Sequence, residues 1–328
     1  MAYACRILAD SISPAGHRLT SFEVTFPRIV LAEVNTHRML SRNSASSRAI
    51  PVERRIAAVE TDPFVPAEFG KNKKGMQHDE VLSAEEAQRA EDEWAWACSK
   101  AIEQARRLAE LGVHKQLANR LLEPFAWHTA VITATDWDNF SHLRVNPAAQ
   151  GEFRRAAEMM LEAYKTSEPH PVNYGDWHTP YVEPGEAFNL EVGAYAAFAA
   201  ARISAARCAR VSYLTQDGKR DANEDLALYE RLVGPGHLSP LEHPARPMTQ
   251  RELELTQAWD VAFDDGPMLR TQCPPGVEPK VGMEDRGSII TRVRGPLYYS
   301  GNLNGWVQLR KLIPGEHDIL GQRTEEAT

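Results

Sequence analysis

Apolar and polar positions alternate along this chain in two rhythms. Phe22, Val24 and Phe26 are separated by Glu23 and Thr25, a period of two that predicts a half-buried strand. Pro27 breaks it, and Ile29 to Val34 reads as a second strand leading into a polar segment. Further on, Ala87, Ala90, Trp94, Ala97, Ala101, Ala105 and Leu108 keep three-to-four spacing, which predicts a long amphipathic helix. Ser83-Ala84-Glu85-Glu86 has the form of a capping box at its start, and Gly112 follows as a stop. Between Pro51 and His78, frequent Pro, Gly and Lys predict a long loop, and loops of that length are often lids or binding loops. A shorter helix is expected from about His114 to Glu123, ended by Pro124. The β-branched run from Thr129 to Thr135 predicts a buried strand. Asn146-Pro147 is expected to open a helix that places Phe153, Ala157, Met160, Leu161 and Tyr164 on one face.

The second half is richer in helix. A loop with many Pro, His and Gly covers roughly 166–185, and an Ala-rich helix follows from about 187 to 210. Asp221 starts another helix that stops at Gly234, and a last helix is read over Asn302 to Ile313. The stretch from Pro244 to Pro296 has no readable period. The pattern is mixed α/β, of the α+β type, with several long helices and more helix than strand. With no internal repeat and no clean linker, residues 1–328 read as one domain carrying an unassigned C-terminal extension from about residue 245.

Composition narrows the class. The chain has 328 residues, 43% hydrophobic and 25% charged, the profile of a soluble globular protein. No apolar run approaches a membrane span, and the N-terminus lacks the order of a signal peptide. The four cysteines, Cys5, Cys98, Cys208 and Cys273, are far apart, which reads as free thiols in a reducing cytoplasm. A net charge of −8 argues against a protein that coats nucleic acid, while leaving room for a local basic pocket. The histidines show no metal-ligand spacing, and His170, His178 and His317 are expected to be solvent-exposed.

The candidate chemistry lies in Thr36-His37-Arg38-Met39-Leu40-Ser41-Arg42-Asn43-Ser44-Ala45-Ser46-Ser47-Arg48, which holds one His, three Arg and four Ser. Guanidinium forks and hydroxyl donors at this density suit a phosphate and a polar heterocycle. The bland alternative is a solvated basic loop.

This segment resembles the Arg-His-Arg-x-x-Ser-x-Asn-Glu-x-Ser-x-Arg signature of the flavin-dependent thymidylate synthases. His37, Arg38, Ser41, Asn43, Ser46 and Arg48 agree; Thr36 stands where the family has Arg, and Ser44 where it has Glu. Arg120-Leu121-Leu122-Glu123-Pro124 resembles the family's Arg-x-x-x-Pro element. Asn139-Phe140-Ser141-His142-Leu143-Arg144 resembles its Asn-Phe-x-x-x-Arg element. Ala209-Arg210-Val211-Ser212 and Gly236-His237-Leu238-Ser239-Pro240-Leu241-Glu242-His243 resemble two more. In the common form that last pair precedes the Arg-His-Arg signature; here it follows, so the chain looks circularly permuted.

The resemblance implies the family's fold and C5-methylation of a uracil nucleotide, dUMP or UMP. Methylenetetrahydrofolate would be carbon donor, FAD the hydride carrier and NADPH its reductant. It implies catalytic roles for Arg144, Arg120 and Ser46, with nucleophilicity of Ser46 left open. Substrate contacts would come from Arg48, Ser46, Ser47, Glu33, Arg120 and Arg144. Flavin contacts would come from His37, Arg38, Asn43, Asn139, Ser212, His237, Ser239 and Glu242, with the flavin held between subunits of a homotetramer. No metal is implied. Ser44, smaller than the family's Glu, would leave room for a ribose 2′-hydroxyl, as in relatives from nucleoside-antibiotic pathways. The lost cation at Thr36 would shift phosphate or flavin binding to Arg42 or Arg310. Two other readings stay open: hydroxymethylation of the pyrimidine, and an RNA-binding or regulatory role for an Arg38–Arg55 patch.

Overall fold

A computed structural model describes residues 3–75, 78, 80–183, 185–186, 194–211, 220–254, 256, 301–313 and 316, the side chains of 194 and 195 excepted. The strands are β1 (Ala4–Ile12), β2 (Arg18–Pro27), β3 (Ser41–Ser44), β4 (Trp127–Ala134), β5 (His170–Pro171), β6 (Ala245–Pro247) and β7 (Trp306–Gln308). The helices are α1 (Leu31–Val34), α2 (Val52–Thr61), α3 (Ala84–Glu110), α4 (Lys115–Ala118), α5 (Asp138–Arg144), α6 (Gly151–Thr166), α7 (Ala194–Ala209) and α8 (Ala222–Val233). A five-stranded sheet has the order β3-β4-β2-β1-β5, and β6 and β7 form a two-stranded sheet. The architecture is mixed α/β, as the hydrophobic pattern implies.

The chain divides into two compact units: 1–8, 21–168 and 209–219 in one, and 9–20, 169–208 and 220–328 in the other. In the first unit, Phe22, Val24 and Phe26 of β2 pack with Ala130 and Ile132 of β4 and with Phe140, Phe153 and Met160 from α5 and α6. Trp137 stands edge-on to Phe22 at 5.0 Å between ring centroids. A second cluster joins Ile56 and Val59 of α2 to Cys98 and Ala105 of α3 and to Leu122 and Phe125.

The strand at Phe22–Phe26 is present but is buried on both faces along most of its length. Its polar residues are tolerated there because they are bonded across the sheet: Ser21 Oγ lies 2.5 Å from Thr133 Oγ1, and Thr25 Oγ1 lies 2.8 Å from Thr129 Oγ1. The long helix α3 starts at a reciprocal Ser83–Glu86 capping box, and Gly112 follows it at φ +78°.

Several expectations change. Ile29–Val34 is not a strand but a 3-10 turn, Arg28–Val30, followed by α1. Val30 and Val34, four apart, are the buried pair there, a helical spacing hidden inside a short apolar run. The loop expected between Pro51 and His78 contains α2, whose Val52, Ile56 and Val59 keep helical spacing between charged neighbours. The helix expected over His114–Glu123 is one turn of α4 continued by a 3-10 helix, Asn119–Phe125, that includes Pro124. The helix at Asn146-Pro147 begins instead at Gly151, and α5 precedes it, so Arg144 ends a helix. Asn302–Ile313 forms β7 and a 3-10 turn, Leu309–Leu312, rather than a helix. β7 pairs antiparallel with β6, Pro247 opposite Trp306. His178, expected at the surface, is 1% exposed, its Nδ1 2.9 Å from Ser11 Oγ, because the ring packs edge-on to buried Trp306. His170 is exposed, and His317 and Cys273 lie outside the described residues. Cys5, Cys98 and Cys208 are free thiols. Among the described residues, no helix is long and apolar enough to cross a membrane, and no acidic, His or Cys cluster fits a metal ion.

Phe22 is fully buried at the centre of the first cluster. Phe22→Ala is expected to destabilise the fold by about 3–5 kcal/mol, read from denaturant unfolding.

Candidate functional site

The Thr36–Arg48 segment is built around β3, whose Ser41, Arg42, Asn43 and Ser44 pair antiparallel with Thr133, Ile132, Val131 and Ala130. At the strand's entrance Arg42 donates to the carbonyl oxygens of Val34 (3.0 Å) and His37 (2.5 Å). This closes the turn before β3, so Arg42 braces backbone. Arg310, the other cation suggested as a replacement for the lost Arg, belongs to the second unit and is held by Glu242 and Glu316.

Two groups of predicted residues gather at the two ends of β3. At the first, Arg144 Nε donates to His37 Nε2 at 2.7 Å, and Arg144 Nη2 lies 3.4 Å from Thr36 Oγ1. Thr36 Oγ1 itself donates to the Glu33 carbonyl oxygen at 2.6 Å. The Arg144 guanidinium lies 4.8 Å from the centre of the Phe153 ring, and the His37 ring is edge-on to Phe140 at 5.1 Å. Burial, then the charges of Arg144 and Arg42, lower the His37 pKa to about 4. The imidazole is therefore neutral near pH 7, which lets Nε2 accept from Arg144. Glu33 Oε2 is buried without a hydrogen-bond partner among the described residues. Arg38 and Asn139 are exposed, and Asn43 is half-buried on β3.

At the other end, Ser46 Oγ accepts from the Arg48 N–H at 3.3 Å, and both side chains face solvent. Ser47 is buried and donates its hydroxyl to Glu123. Arg120 Nη1 reaches both Glu123 oxygens, at 2.9 and 3.2 Å, and Arg28 Nη2 reaches Oε1 at 3.2 Å. Asn119 is fully buried and donates to the carbonyl oxygens of Ser47 (2.8 Å) and Ile50 (2.9 Å), while Lys115 Nζ donates to that of Ala49 (3.2 Å). The 3-10 turn that carries Arg120 thus also grips the loop that carries Ser46 and Arg48. Burial works against the Glu123 charge, but Ser47, Arg28 and Arg120 outweigh it and hold its pKa below the ordinary carboxylate range. Buried His128 lies 2.9 Å from Arg28 Nη1 through Nδ1; burial, then Arg28 and Arg55, lower its pKa to about 3.

The second unit contains His237, Ser239 and Glu242. Gly236, at φ +80°, turns the chain after α8, and the His237 N–H closes back on the Leu232 carbonyl oxygen at 2.8 Å. His237 and Ser239 face solvent, while Leu238, Pro240, Leu241 and His243 are buried. Glu242 is paired with Arg310, and Gln308 Nε2 donates to the Glu242 carbonyl oxygen at 3.0 Å. Residues from the unassigned C-terminal stretch therefore hold this turn in place. Ser212 lies outside the described residues.

Sequence reasoning assigned no role to Arg28, Asn119, Glu123 or His128, and placed Arg55 only in the alternative basic patch. Glu123 sits inside the Arg120–Pro124 element, and Asn119 is adjacent to Arg120, so proximity to a motif was their one available signal. A cavity of about 760 Å³ lies away from all the predicted residues, along α2 and α3 beside Val59, Trp94, Cys98 and Ile102.

Residues 7–170 match the family described as thymidylate synthase complementing protein. The Gly236–His243 element falls outside that match. No curated protein matches the chain. Among solved structures, the chain is similar to the UMP/dUMP methylase PolB from Streptomyces cacaoi bound with 5-Br dUMP, at 17% identity and a TM-score of 0.41, over 50% of this chain and 90% of that one. The same methylase bound with 5-Br UMP matches at 18% identity and a TM-score of 0.42, over 50% of this chain and 88% of that one.

His37, half-buried, and His128, buried, are both neutral near pH 7 and give a signed pH dependence. Their folded pKa values, about 4 for His37 and about 3 for His128, lie below the ordinary 6.5. Their contribution is complete above pH 6.5 and is lost as pH falls through 4 and then 3. The denaturant midpoint is expected to fall steadily from pH 7 to pH 4.5, and His37→Gln to flatten that slope.

Proposed function

Because the chain belongs to the thymidylate synthase complementing protein family, we propose that it is a flavin-dependent enzyme that methylates carbon 5 of a uracil nucleotide. The observation that carries this reading is the convergence at β3. Arg144 arrives at one end of the strand and Arg120 at the other.

In this reading Arg48 and Ser46, exposed on the loop after β3, take the phosphate, and Ser47 steadies that loop through Glu123. Arg120 and Arg144 address the pyrimidine. Carbon 5 of uracil is a weak nucleophile, and its attack places charge on the ring carbonyls; a guanidinium that stays charged and offers a planar fork stabilises that charge. The orphaned Oε2 of Glu33 is an acceptor suited to the ring N3–H. Ser46 is assigned to binding: among the described residues its hydroxyl meets the Arg48 N–H and no base.

The donor set fits a flavin dinucleotide. Arg38 and Asn139 present an exposed guanidinium and carboxamide, and His37 is a neutral imidazole held in one orientation by Arg144. Asn43 joins them, and His237, Ser239 and Glu242 are assigned to the flavin on the resemblance alone. FAD reduced by NADPH would supply the hydride and methylenetetrahydrofolate the carbon; what the protein supplies is orientation and charge. The assembly proposed is a homotetramer in a reducing cytoplasm. Ser44, short and half-buried on β3, is compatible with a ribose 2′-hydroxyl, so both UMP and dUMP are proposed as substrates.

The purified protein is expected to show a flavin absorbance spectrum and to bind UMP and dUMP. The product mass should correspond to a methyl addition. A colourless protein that ignores FAD and both nucleotides would refute the reading. Arg48→Ala is expected to weaken nucleotide binding by about 10- to 100-fold, measured by titration calorimetry. His237→Ala is expected to lower flavin occupancy, read from the absorbance ratio. Ser44→Glu is expected to weaken UMP more than dUMP, which competition between the two nucleotides would reveal.

A further inference from the structure

The loop that follows β3 has no regular structure, yet its backbone is held at several points. Burial alternates along it: Ala45, Ser47 and Ile50 are buried, while Ser46 and Arg48 face solvent. The Ala49 N–H donates to the Ser46 carbonyl oxygen at 3.0 Å, which closes a turn around Ser47 and Arg48. The carbonyls that follow are taken by side chains from a distant element. Asn119 Nδ2 donates to those of Ser47 (2.8 Å) and Ile50 (2.9 Å), and Lys115 Nζ to that of Ala49 (3.2 Å). Buried backbone acceptors need partners, and a loop has no ladder of its own to supply them. A carboxamide suits this place because two N–H groups diverge from one nitrogen.

Asn119 is fully buried, and its Oδ1 has no hydrogen-bond partner among the described residues. An orphaned buried acceptor opposes folding. A side chain that served stability alone would have both ends satisfied. This one leaves its oxygen unserved while its nitrogen holds two carbonyls, 72 and 69 positions earlier. The next residue, Arg120, is exposed. Its guanidinium shares the Glu123 carboxylate with Ser47, a buried member of the loop. The loop is therefore joined to the Arg120 turn twice, at its backbone through Asn119 and at a side chain through Glu123. Ser46 and Arg48 on one side, and Arg120 on the other, are the exposed ends of a single braced unit.

We propose that Asn119 is a positioning residue: it sets the loop bearing Ser46 and Arg48 against Arg120, so that phosphate contacts and pyrimidine contact stand as one preformed clamp before the nucleotide arrives. The clamp rests on the nucleotide reading above; the brace rests on the hydrogen bonds alone. Asn119 touches no substrate and acts through Arg48. Without the brace the loop has to be ordered at the moment of binding, which lowers affinity without removing a contact. A residue acting only on fold stability would lower the unfolding temperature and leave the affinity of the folded protein unchanged.

Two measurements on the full chain test this: titration calorimetry with UMP and dUMP, and hydrogen exchange over Ser46–Ile50 compared with β4. Asn119→Ala is expected to weaken UMP by about 10-fold. Asn119→Ser, which keeps one donor, is expected to fall between that variant and wild type. Added to Arg48→Ala, Asn119→Ala is expected to weaken UMP by less than it does alone, because the brace acts through Arg48. Exchange over the loop is expected to speed up in Asn119→Ala while β4 stays slow. If Asn119→Ala does not fold, Lys115→Met, which loses the bond to Ala49, is expected to show both effects in weaker form. UMP affinity that ignores Asn119, additive losses with Arg48→Ala, or unchanged loop exchange would overturn the proposal and leave the nucleotide reading standing. Exchange that rises equally in β4 would reduce Asn119 to a stability residue and overturn it too. Faster loop exchange in a protein whose wild type binds neither nucleotide would uphold the brace and overturn the clamp together with the nucleotide reading.

Discussion

Antiparallel pairing of Ser41–Ser44 with Ala130–Thr133 sets where the side chains of the candidate site emerge. A register slip of one residue would turn every β3 side chain to the opposite face. The pairing partner is a buried, β-branched strand whose hydroxyls are bonded to β2, so β3 rests on a rigid support. Polar chemistry is displayed at an edge strand because the apolar work of folding is done by its neighbours. The turn before β3 is closed by Arg42, and the loop after it is gripped by Asn119 and Lys115.

The electrostatics follow from this support. Placing several guanidiniums close together repels them unless each has an acceptor or solvent. Arg144 uses a neutral imidazole and an aromatic face. Arg28 and Arg120 share Glu123. The low pKa of His37 and the lowered pKa of Glu123 have different signs in chemical terms, a base kept neutral and an acid kept charged. The first comes chiefly from burial, with Arg144 and Arg42 adding to it; the second comes from Ser47, Arg28 and Arg120 outweighing burial.

The second unit shows how a short motif is held. The exposed His237 and Ser239 alternate with buried Leu238, Pro240 and Leu241. The 3-10 turn they form is tied down by Gln308 and Arg310 from residues far along the chain. A segment that looked like an unassigned extension is structural support for the turn.

What the amino-acid sequence determined by itself is what depends on local spacing and on residue chemistry. The long helix α3 follows from three-to-four periodicity and a capping box, the strands at Phe22 and Thr129 from alternation and β-branching, and the family from a dense string of His, Arg and Ser. The tertiary structure decided the rest, because the deciding forces there are non-local. Val30 and Val34 form a helical pair only because a core exists for them to face. Trp306 enters a strand because β6 offers it a partner. His178 is buried although nothing in its sequence neighbourhood demands it. The pairings of Arg144 with His37, and of Arg28 with Glu123, join residues separated by dozens of positions. Charge balance in a folded protein is a property of distance in space, and no spacing along the chain encodes it.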